Sequence, residues 1–113
     1  MPLTIFHNPR CTKSRETLAL LEKKGLKPTV VEYLKDPPSA AELTRIVKLL
    51  GVPARAILRK AEAREAGIDP DDLSEKELIA AMHKHPAVIE RPIVVTGTKA
   101  AVGRPPENVL KIL

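Results

Sequence analysis

The chain has 113 residues, of which 43 % are hydrophobic and only 2 % are aromatic, and its formal net charge is +5. This length suits one domain, whose core must be aliphatic, and so few aromatic side chains argue against a stacking surface for single-stranded nucleic acid. The excess of basic residues instead favours anionic partners such as a small oxyanion.

The first third of the chain has a strand–helix–strand pattern. Residues 3–6 form a short β-type run that ends at a His-Asn-Pro turn signal. Residues 12–24 have a helical pattern, and Gly25 stands where a left-handed C-terminal cap is expected. Residues 29–33, with the sequence TVVEY, are typical of a second strand. This β-α-β unit predicts a right-handed crossover between two parallel strands.

The middle of the chain is predicted to be helical. Ser39 with Glu42 and Ser74 with Glu77 each have the spacing of a capping box, in which the two side chains bond N–H groups at a helix start. Residues 54–66 have little apolar periodicity, which indicates a short helix with a polar loop. We therefore expect a helical insertion over about residues 39–84.

The end of the chain returns to strands. Residues 92–96 and 99–102 are short β-type runs separated by a Gly-Thr pair, a pattern that predicts a hairpin. A last helix is expected from residue 105 or 106 onward, because proline is tolerated in a first helical turn. The order of these strands and helices along the chain predicts an α/β fold with a thioredoxin-like, four-stranded mixed β-sheet flanked by helices. We expect residues 1–113 to form this single domain, with the helical region inserted before the hairpin.

Cys11 lies at the predicted turn from the first strand into the first helix, among several basic residues. A helix N-terminus presents unsatisfied N–H groups and about half a positive charge, which favours a thiolate and also suits an oxyanion. The sequence therefore predicts a lowered pKa and a nucleophilic thiolate at Cys11. The alternative, an inert buried cysteine, fits these charged surroundings poorly. Because there is no second cysteine, any disulfide formed in turnover must involve an outside thiol.

Two side chains near Cys11 are candidates to support its thiolate. Ser14, three residues further on, is placed to donate its hydroxyl to the sulfur, or else is an ordinary residue of the first helical turn. His7 is either a charged neighbour of the thiolate or a polar residue that closes the strand, and the sequence leaves both alternatives open. The three histidines and one cysteine show no metal-ligand spacing, so no metal site is predicted.

Three later arginines, Arg59, Arg91 and Arg104, are candidate oxyanion ligands, because the guanidinium fork matches a tetrahedral oxyanion. From spacing alone, exposed surface arginines are the alternative. A phosphatase-type loop needs five residues between its cysteine and arginine, but only three separate Cys11 from Arg15. A Walker-type nucleotide loop is also missing from the sequence.

Five segments of the sequence follow one another in a characteristic order: HNPRCTKSRETL, YLKDPPSAAEL, AILRK, ERPIVV and GRPPENVL. Together they resemble the glutaredoxin-dependent, ArsC-like arsenate reductase family, from about residue 4 to the end of the chain. The resemblance implies a thioredoxin-like sheet with an inserted helical region. It also implies that Cys11 attacks arsenate to form a thiol–arsenate adduct. Glutathione then attacks, and glutaredoxin resolves the mixed disulfide as arsenite is released.

The same resemblance assigns roles to residues. Arg59, Arg91 and Arg104 match the family arginines that bind the oxyanion, and His7 matches a histidine that helps to lower the thiol pKa. The bond between Arg91 and Pro92 matches the cis-proline of the fold. The resemblance implies no tightly bound cofactor, with glutathione as co-substrate, arsenate as substrate and glutaredoxin as partner.

Two other functions remain open. Spx-type transcription regulators share this fold and bind RNA polymerase, but they use a C-x-x-C redox switch, and Ser14 replaces its second cysteine here. A glutathione-dependent thiol–disulfide reductase also uses Cys11 and does not require the three arginines to converge.

The sequence also bears on location and assembly. The N-terminal segment lacks a signal-peptide pattern, and no apolar run approaches the length of a membrane span. A single free thiol fits a reducing compartment. We therefore expect a cytoplasmic protein that binds neither membranes nor nucleic acid. Because nothing periodic suggests a dimer seam, we expect a monomer.

Overall fold

The computed structural model describes residues 3–113, which divide into two compact units. One unit comprises the chain up to Asp36 together with Arg91–Leu113, and the other comprises Pro37–Glu90. Within residues 3–113, none of the helices combines the length and the apolar character that crossing a membrane requires.

The first unit contains a four-stranded mixed sheet. Its strands are β1 (Thr4–His7), β2 (Thr29–Glu32), β3 (Ile93–Val95) and β4 (Ala100–Val102). Their order across the sheet is β2-β1-β3-β4. Strand β1 pairs in parallel with β2, whereas β1 with β3 and β3 with β4 are antiparallel. The predicted mixed sheet, with its parallel β-α-β unit and terminal hairpin, is therefore confirmed.

Helix α1 (Thr12–Lys23) joins β1 to β2 and ends at the predicted glycine. Gly25 has a φ of 79°, and the Leu26 N–H donates to the Leu21 carbonyl oxygen at 3.1 Å, which is the pattern of a Schellman cap. Leu21 belongs to a fully buried aliphatic cluster that also contains Ile5, Val94 and Val109, and Leu26 packs against it. The chain ends in a 3₁₀ helix, Pro106–Ile112, as a tighter form of the predicted last helix.

The second unit is helical. It contains α2 (Ala40–Leu50), α3 (Lys60–Glu65) and α4 (Glu75–Lys84), with 3₁₀ turns at Ala54–Ile57, Pro70–Asp72 and Pro86–Val88. Both predicted capping boxes are present, at the starts of α2 and α4. The apolar faces of these two helices bury Leu43, Ile46, Leu78 and Met82.

An antiparallel bridge within the second unit connects the chain before α3 with the chain after α4. Leu58 pairs with Ile89. The Arg59 N–H donates to the Val88 carbonyl oxygen, and the Glu90 N–H donates to the Ile57 carbonyl oxygen, each at 2.7 Å. The bridge therefore ties the backbones of Arg59 and Glu90 to the same short ladder.

Gly103 follows β4, where the backbone passes close to α1 and to Pro92. A Cβ atom at this position would lie 2.5 Å from Thr17 Oγ1 and 2.8 Å from Pro92 Cγ. We therefore expect Gly103→Ala to reduce the free energy of unfolding by about 1–3 kcal/mol, measured by urea denaturation. Gly97→Ala is the control, because a Cβ there meets nothing within 4 Å. Equal stability of the two variants would contradict this tight packing.

Candidate active site

Cys11 is the residue that caps the N-terminus of α1, with an extended backbone (φ −94°, ψ 122°). Its N–H donates to the Asn8 carbonyl oxygen, and its own carbonyl oxygen accepts from the Arg15 N–H, each at 3.0 Å. The free thiol is half-buried, and although its sulfur accepts no capping hydrogen bond, the backbone N–H groups of Lys13 and Ser14 stabilise a negative charge on it. The first turn of the helix thus directs its N–H groups at the thiol, as the sequence predicted.

Arg91 and Arg104 bring two guanidinium groups to the same sulfur. The Nη2 of Arg104 lies 3.5 Å from Cys11 Sγ, and its Nε donates to the Arg91 carbonyl oxygen at 2.8 Å. The Arg91 side chain also donates a hydrogen bond to the thiol. Two of the three candidate arginines therefore meet at Cys11.

The peptide bonds that precede Pro92 and Pro105 are both cis. The first confirms the prediction for the bond between Arg91 and Pro92. The second, between Arg104 and Pro105, had no signal in the sequence. Each of the two arginines at the thiol is thus followed by a cis peptide bond.

The surroundings of Cys11 lower the pKa of its thiol below the ordinary value. Partial burial acts in the opposite direction and raises the pKa, but four favourable contacts outweigh it. These are the Ser14 N–H, the Arg91 side chain, the positive charge of Arg104 and the Lys13 N–H. Because each of them stabilises a negative sulfur, the site favours the thiolate, which is the nucleophilic form.

Ser14 and His7 form a buried pair next to Cys11. His7 closes β1 and is 6 % exposed, and its Nδ1 lies 2.6 Å from Ser14 Oγ. The Asn8 N–H donates to the same hydroxyl oxygen at 3.0 Å. Burial lowers the pKa of His7, so its ring is neutral at neutral pH, which does not fit a charged neighbour of the thiolate. The Ser14 hydroxyl thus contacts His7 and accepts the Asn8 N–H, whereas the group of Ser14 that lowers the pKa of the thiol is its backbone N–H.

We expect Ser14→Ala to lower the stability of the protein more than it alters the thiol. The substitution removes the oxygen that accepts the Asn8 N–H and contacts the buried His7 ring, so the free energy of unfolding should fall by about 1–3 kcal/mol. The N–H of residue 14 remains, and the pKa of Cys11 should stay below its ordinary value. Urea denaturation and the pH dependence of alkylation by iodoacetamide measure the two effects. If the pKa of Cys11 returned to its ordinary value in this variant, the hydroxyl of Ser14 would be the group that stabilises the thiolate.

Asn8 is a site residue that the sequence analysis missed. Its carbonyl oxygen accepts the Cys11 N–H, and its side-chain Oδ1 accepts the Arg10 N–H at 3.0 Å. These bonds shape the loop that carries the thiol into α1. Asparagine before proline is a known turn signal, so the residue type offered a hint, although the contact with Cys11 required the structure.

Arg59 belongs to the second unit, where it forms two ion pairs. Its Nε donates to Glu62 Oε2 at 2.7 Å, and its Nη1 donates to Glu90 Oε1 at 3.0 Å. Partial burial lowers the pKa of Arg59, but the two carboxylates outweigh it and raise the pKa overall. The guanidinium is therefore permanently charged, and its predicted role in oxyanion binding stays a prediction.

Within residues 3–113, no cluster of three or more histidine, cysteine, aspartate or glutamate side chains is placed to hold a metal ion. The groups gathered at Cys11 are instead N–H and guanidinium donors. Such a set of donors suits an anion next to a nucleophilic sulfur.

Comparison with known proteins identifies the family. The sequence model of the ArsC family matches residues 6–112, which is nearly the whole chain. The chain belongs to the ArsC family. An arsenate reductase of Haemophilus influenzae is 49 % identical over 116 residues, and the alignment covers 100 % of both chains. The uncharacterized Escherichia coli protein YfgD is 50 % identical over 112 residues, with 96 % of this chain and 94 % of that protein covered.

Solved structures of ArsC relatives agree with this assignment. An arsenate reductase structure from Vibrio cholerae superposes with a TM-score of 0.94 at 50 % sequence identity. The superposition covers 100 % of this chain and 98 % of that chain. The predicted thioredoxin-like α/β fold of the ArsC family is thereby confirmed.

Proposed function

We propose that this protein is an arsenate reductase, an oxidoreductase that works through the Cys11 thiolate. The observation that carries the proposal is the meeting of Cys11 with Arg91 and Arg104 at the start of α1. An ionised sulfur beside two guanidinium groups is suited to attack a bound oxyanion. ArsC relatives that carry the name arsenate reductase and share about half of their residues with this chain support the same function.

The first chemical step joins the sulfur to arsenic. The Cys11 thiolate attacks arsenate, a sulfur–arsenic bond forms, and one arsenic–oxygen bond breaks with the oxygen leaving as water after protonation. Arg91 and Arg104 offset the charge of the oxyanion as it approaches the anionic sulfur. Arg59 is the third proposed ligand of the oxyanion, in line with the family resemblance.

The second step reduces the arsenic. A glutathione thiol attacks the adduct, and Cys11 and glutathione end as a mixed disulfide. The two electrons released by this sulfur–sulfur bond formation convert As(V) to As(III), which leaves as arsenite. Glutaredoxin then takes the glutathionyl group and restores the Cys11 thiol. Because the sequence has no second cysteine, the electrons must come from these outside thiols.

The setting of the reaction is part of the same proposal. We place the protein in the cytoplasm, where glutathione keeps thiols reduced, and assign it a part in arsenic resistance. We also propose that it acts as a monomer, with the whole chain as one domain and the helical region as an insertion. It needs no tightly bound cofactor, since glutathione is consumed as a co-substrate.

The test follows NADPH consumption by the purified protein with arsenate, glutathione, glutaredoxin and glutathione reductase. We expect a rate that depends on arsenate and disappears when Cys11 is alkylated beforehand. A folded, reduced protein that gives no arsenate-dependent rate would contradict the proposal. The same mixture with a glutathione mixed disulfide in place of arsenate would then examine a thiol–disulfide reductase.

A further inference from the structure

Asn8 lies in the turn between β1 and Cys11 and is only 8 % exposed. Its carbonyl oxygen accepts the Cys11 N–H at 3.0 Å, which closes a four-residue β-turn with Pro9 in the second position. Inside this turn, the side-chain Oδ1 of Asn8 accepts the Arg10 N–H at 3.0 Å, which is the bond of an Asx-turn. Asn8 therefore bonds the backbone of both residues that lead into the helix start, through its carbonyl oxygen and its side chain.

The remaining bonds of this turn do not involve the Asn8 side chain. The backbone N–H of Asn8 donates to Ser14 Oγ at 3.0 Å, and the Nη1 of Arg15 donates to the Pro9 carbonyl oxygen at 2.9 Å. Both bonds remain when the side chain at position 8 is replaced, so they keep the segment attached to α1. The contribution of the side chain itself is the bond to the part-buried Arg10 N–H.

The position of Cys11 Sγ matters because its stabilising groups come from separate parts of the first unit. The N–H groups of Lys13 and Ser14 belong to the first turn of α1. Arg104 follows β4 and places its Nη2 3.5 Å from the sulfur. Electrostatic stabilisation weakens with distance, and N–H contacts also depend on angle. A displaced sulfur thus loses part of both contributions, whereas its partial burial, which raises the pKa of the thiol, still acts.

We propose that Asn8 is a positioning residue for the reaction, whose side chain holds the turn that places Cys11 Sγ among its stabilising groups. The inference rests on the proposed function in taking the Cys11 thiolate as the reacting group. Asn8 acts through the backbone of Arg10 and Cys11, and its side chain does not touch the reacting atoms in this account. Without the side-chain oxygen, the Arg10 N–H loses its acceptor and the turn relaxes.

The experiment compares Asn8→Ala, Asn8→Ser and Asn8→Gln with the wild-type protein. The readout is the rate at which iodoacetamide alkylates Cys11 as a function of pH. Serine and alanine form a matched pair, because they differ by one oxygen and a serine hydroxyl accepts the same N–H more weakly. Glutamine keeps the amide, but its extra methylene group prevents the Asx-turn. Val109→Ala is the control for lost stability, because Val109 is fully buried in the aliphatic cluster of the same unit.

We expect the alanine and glutamine variants to shift the alkylation profile to higher pH, because a less stabilised thiolate ionises less at a given pH. On the acidic side of the profile, their rates should fall by about threefold or more. At high pH, where the thiol is fully ionised, their rates should reach the wild-type plateau. The serine variant should stay within about twofold of the wild-type rate on the acidic side. Val109→Ala should keep the wild-type profile, although urea denatures it more easily.

Wild-type profiles in the folded alanine and glutamine variants would overturn the inference. A rate lowered equally at every pH would also overturn it, because the ionisation of the thiol would then be unchanged. A serine variant shifted as far as the alanine variant would show that the acceptor oxygen does not matter. A shifted profile in Val109→Ala would assign the effect to a general loss of stability.

Urea denaturation verifies the fold of each variant. If the alanine variant does not fold, the comparison of serine with glutamine gives the same decision. The alkylation assay contains neither arsenate nor glutathione, so its result is independent of the NADPH assay. Failure of arsenate reduction therefore remains distinguishable from failure of Asn8 as a positioning residue.

Discussion

Replacing Cys11 with serine should abolish arsenate reduction, with a loss of at least about a thousandfold in rate. A serine hydroxyl stays protonated near neutral pH, so the groups that stabilise a negative sulfur have no anion to stabilise. In the proposed mechanism, serine also cannot form the mixed disulfide through which glutathione would deliver its electrons. The coupled NADPH assay measures the loss, with arsenite quantified separately.

The serine variant should keep the fold, which makes the loss interpretable. Cys11 is half-buried and lies outside the aliphatic cluster of the first unit, so urea denaturation should give nearly the wild-type stability. Ala19→Ser, at an exposed position on α1, is the control and should retain the wild-type rate. Sustained turnover by a folded Cys11→Ser protein would end the nucleophile hypothesis and with it the proposed mechanism.

Much of the fold is predictable because its signals are local. Gly25 ends α1 because only the left-handed conformation at that point lets Leu26 reach back to Leu21. Ser39 and Ser74 begin α2 and α4 because each pairs with a glutamate three residues later. Each of these features depends on residues within one or two helical turns of one another. A sequence pattern predicts structure well over that distance.

The thiol site was predictable in its chemistry and less so in its contacts. The helix start and the basic neighbours of Cys11 indicated a thiolate, and the structure assigns it a lowered pKa. The choice between the hydroxyl and the N–H of Ser14 depends instead on His7, which lies seven residues earlier and is brought close by the end of β1. Burial also decides the charge of His7, and burial is a property of the assembled unit.

The two ion pairs of Arg59 differ in how well a sequence pattern predicts them. Glu62 follows Arg59 by three residues on the same helix, a spacing at which an ion pair can be expected. Glu90 is 31 residues away, and only the bridge between Leu58 and Ile89 places it beside the guanidinium. The sequence therefore predicted an anion-binding role for Arg59 without revealing that two carboxylates pair with its guanidinium.

Replacing Arg104 with alanine should affect both the thiol and the oxyanion. The variant loses a positive charge and a hydrogen bond 3.5 Å from Cys11 Sγ, so the pKa of the thiol should rise toward its ordinary value. Arg104 is one of several groups that lower this pKa, so the rise is partial and the Arg91 side chain and the helix N–H groups keep some of their effect. At a pH below the raised pKa of Cys11, a smaller fraction of the thiol is ionised than in the wild-type protein. The pH profile of Cys11 alkylation therefore shifts to higher pH. The KM for arsenate should rise by about tenfold or more, because a charge-assisted ligand is lost.

Arg104→Lys separates the two effects, which makes it the matched control. Lysine keeps the positive charge, so the pKa of Cys11 should remain below its ordinary value and close to that of the wild-type protein. It lacks the fork that donates to the Arg91 carbonyl oxygen and to the sulfur together, so the KM for arsenate should still rise. If both variants kept the wild-type alkylation profile and KM, Arg104 would be a neighbour of the thiol with no part in binding. A shifted profile with an unchanged KM would limit Arg104 to stabilising the thiolate and leave the oxyanion to Arg91.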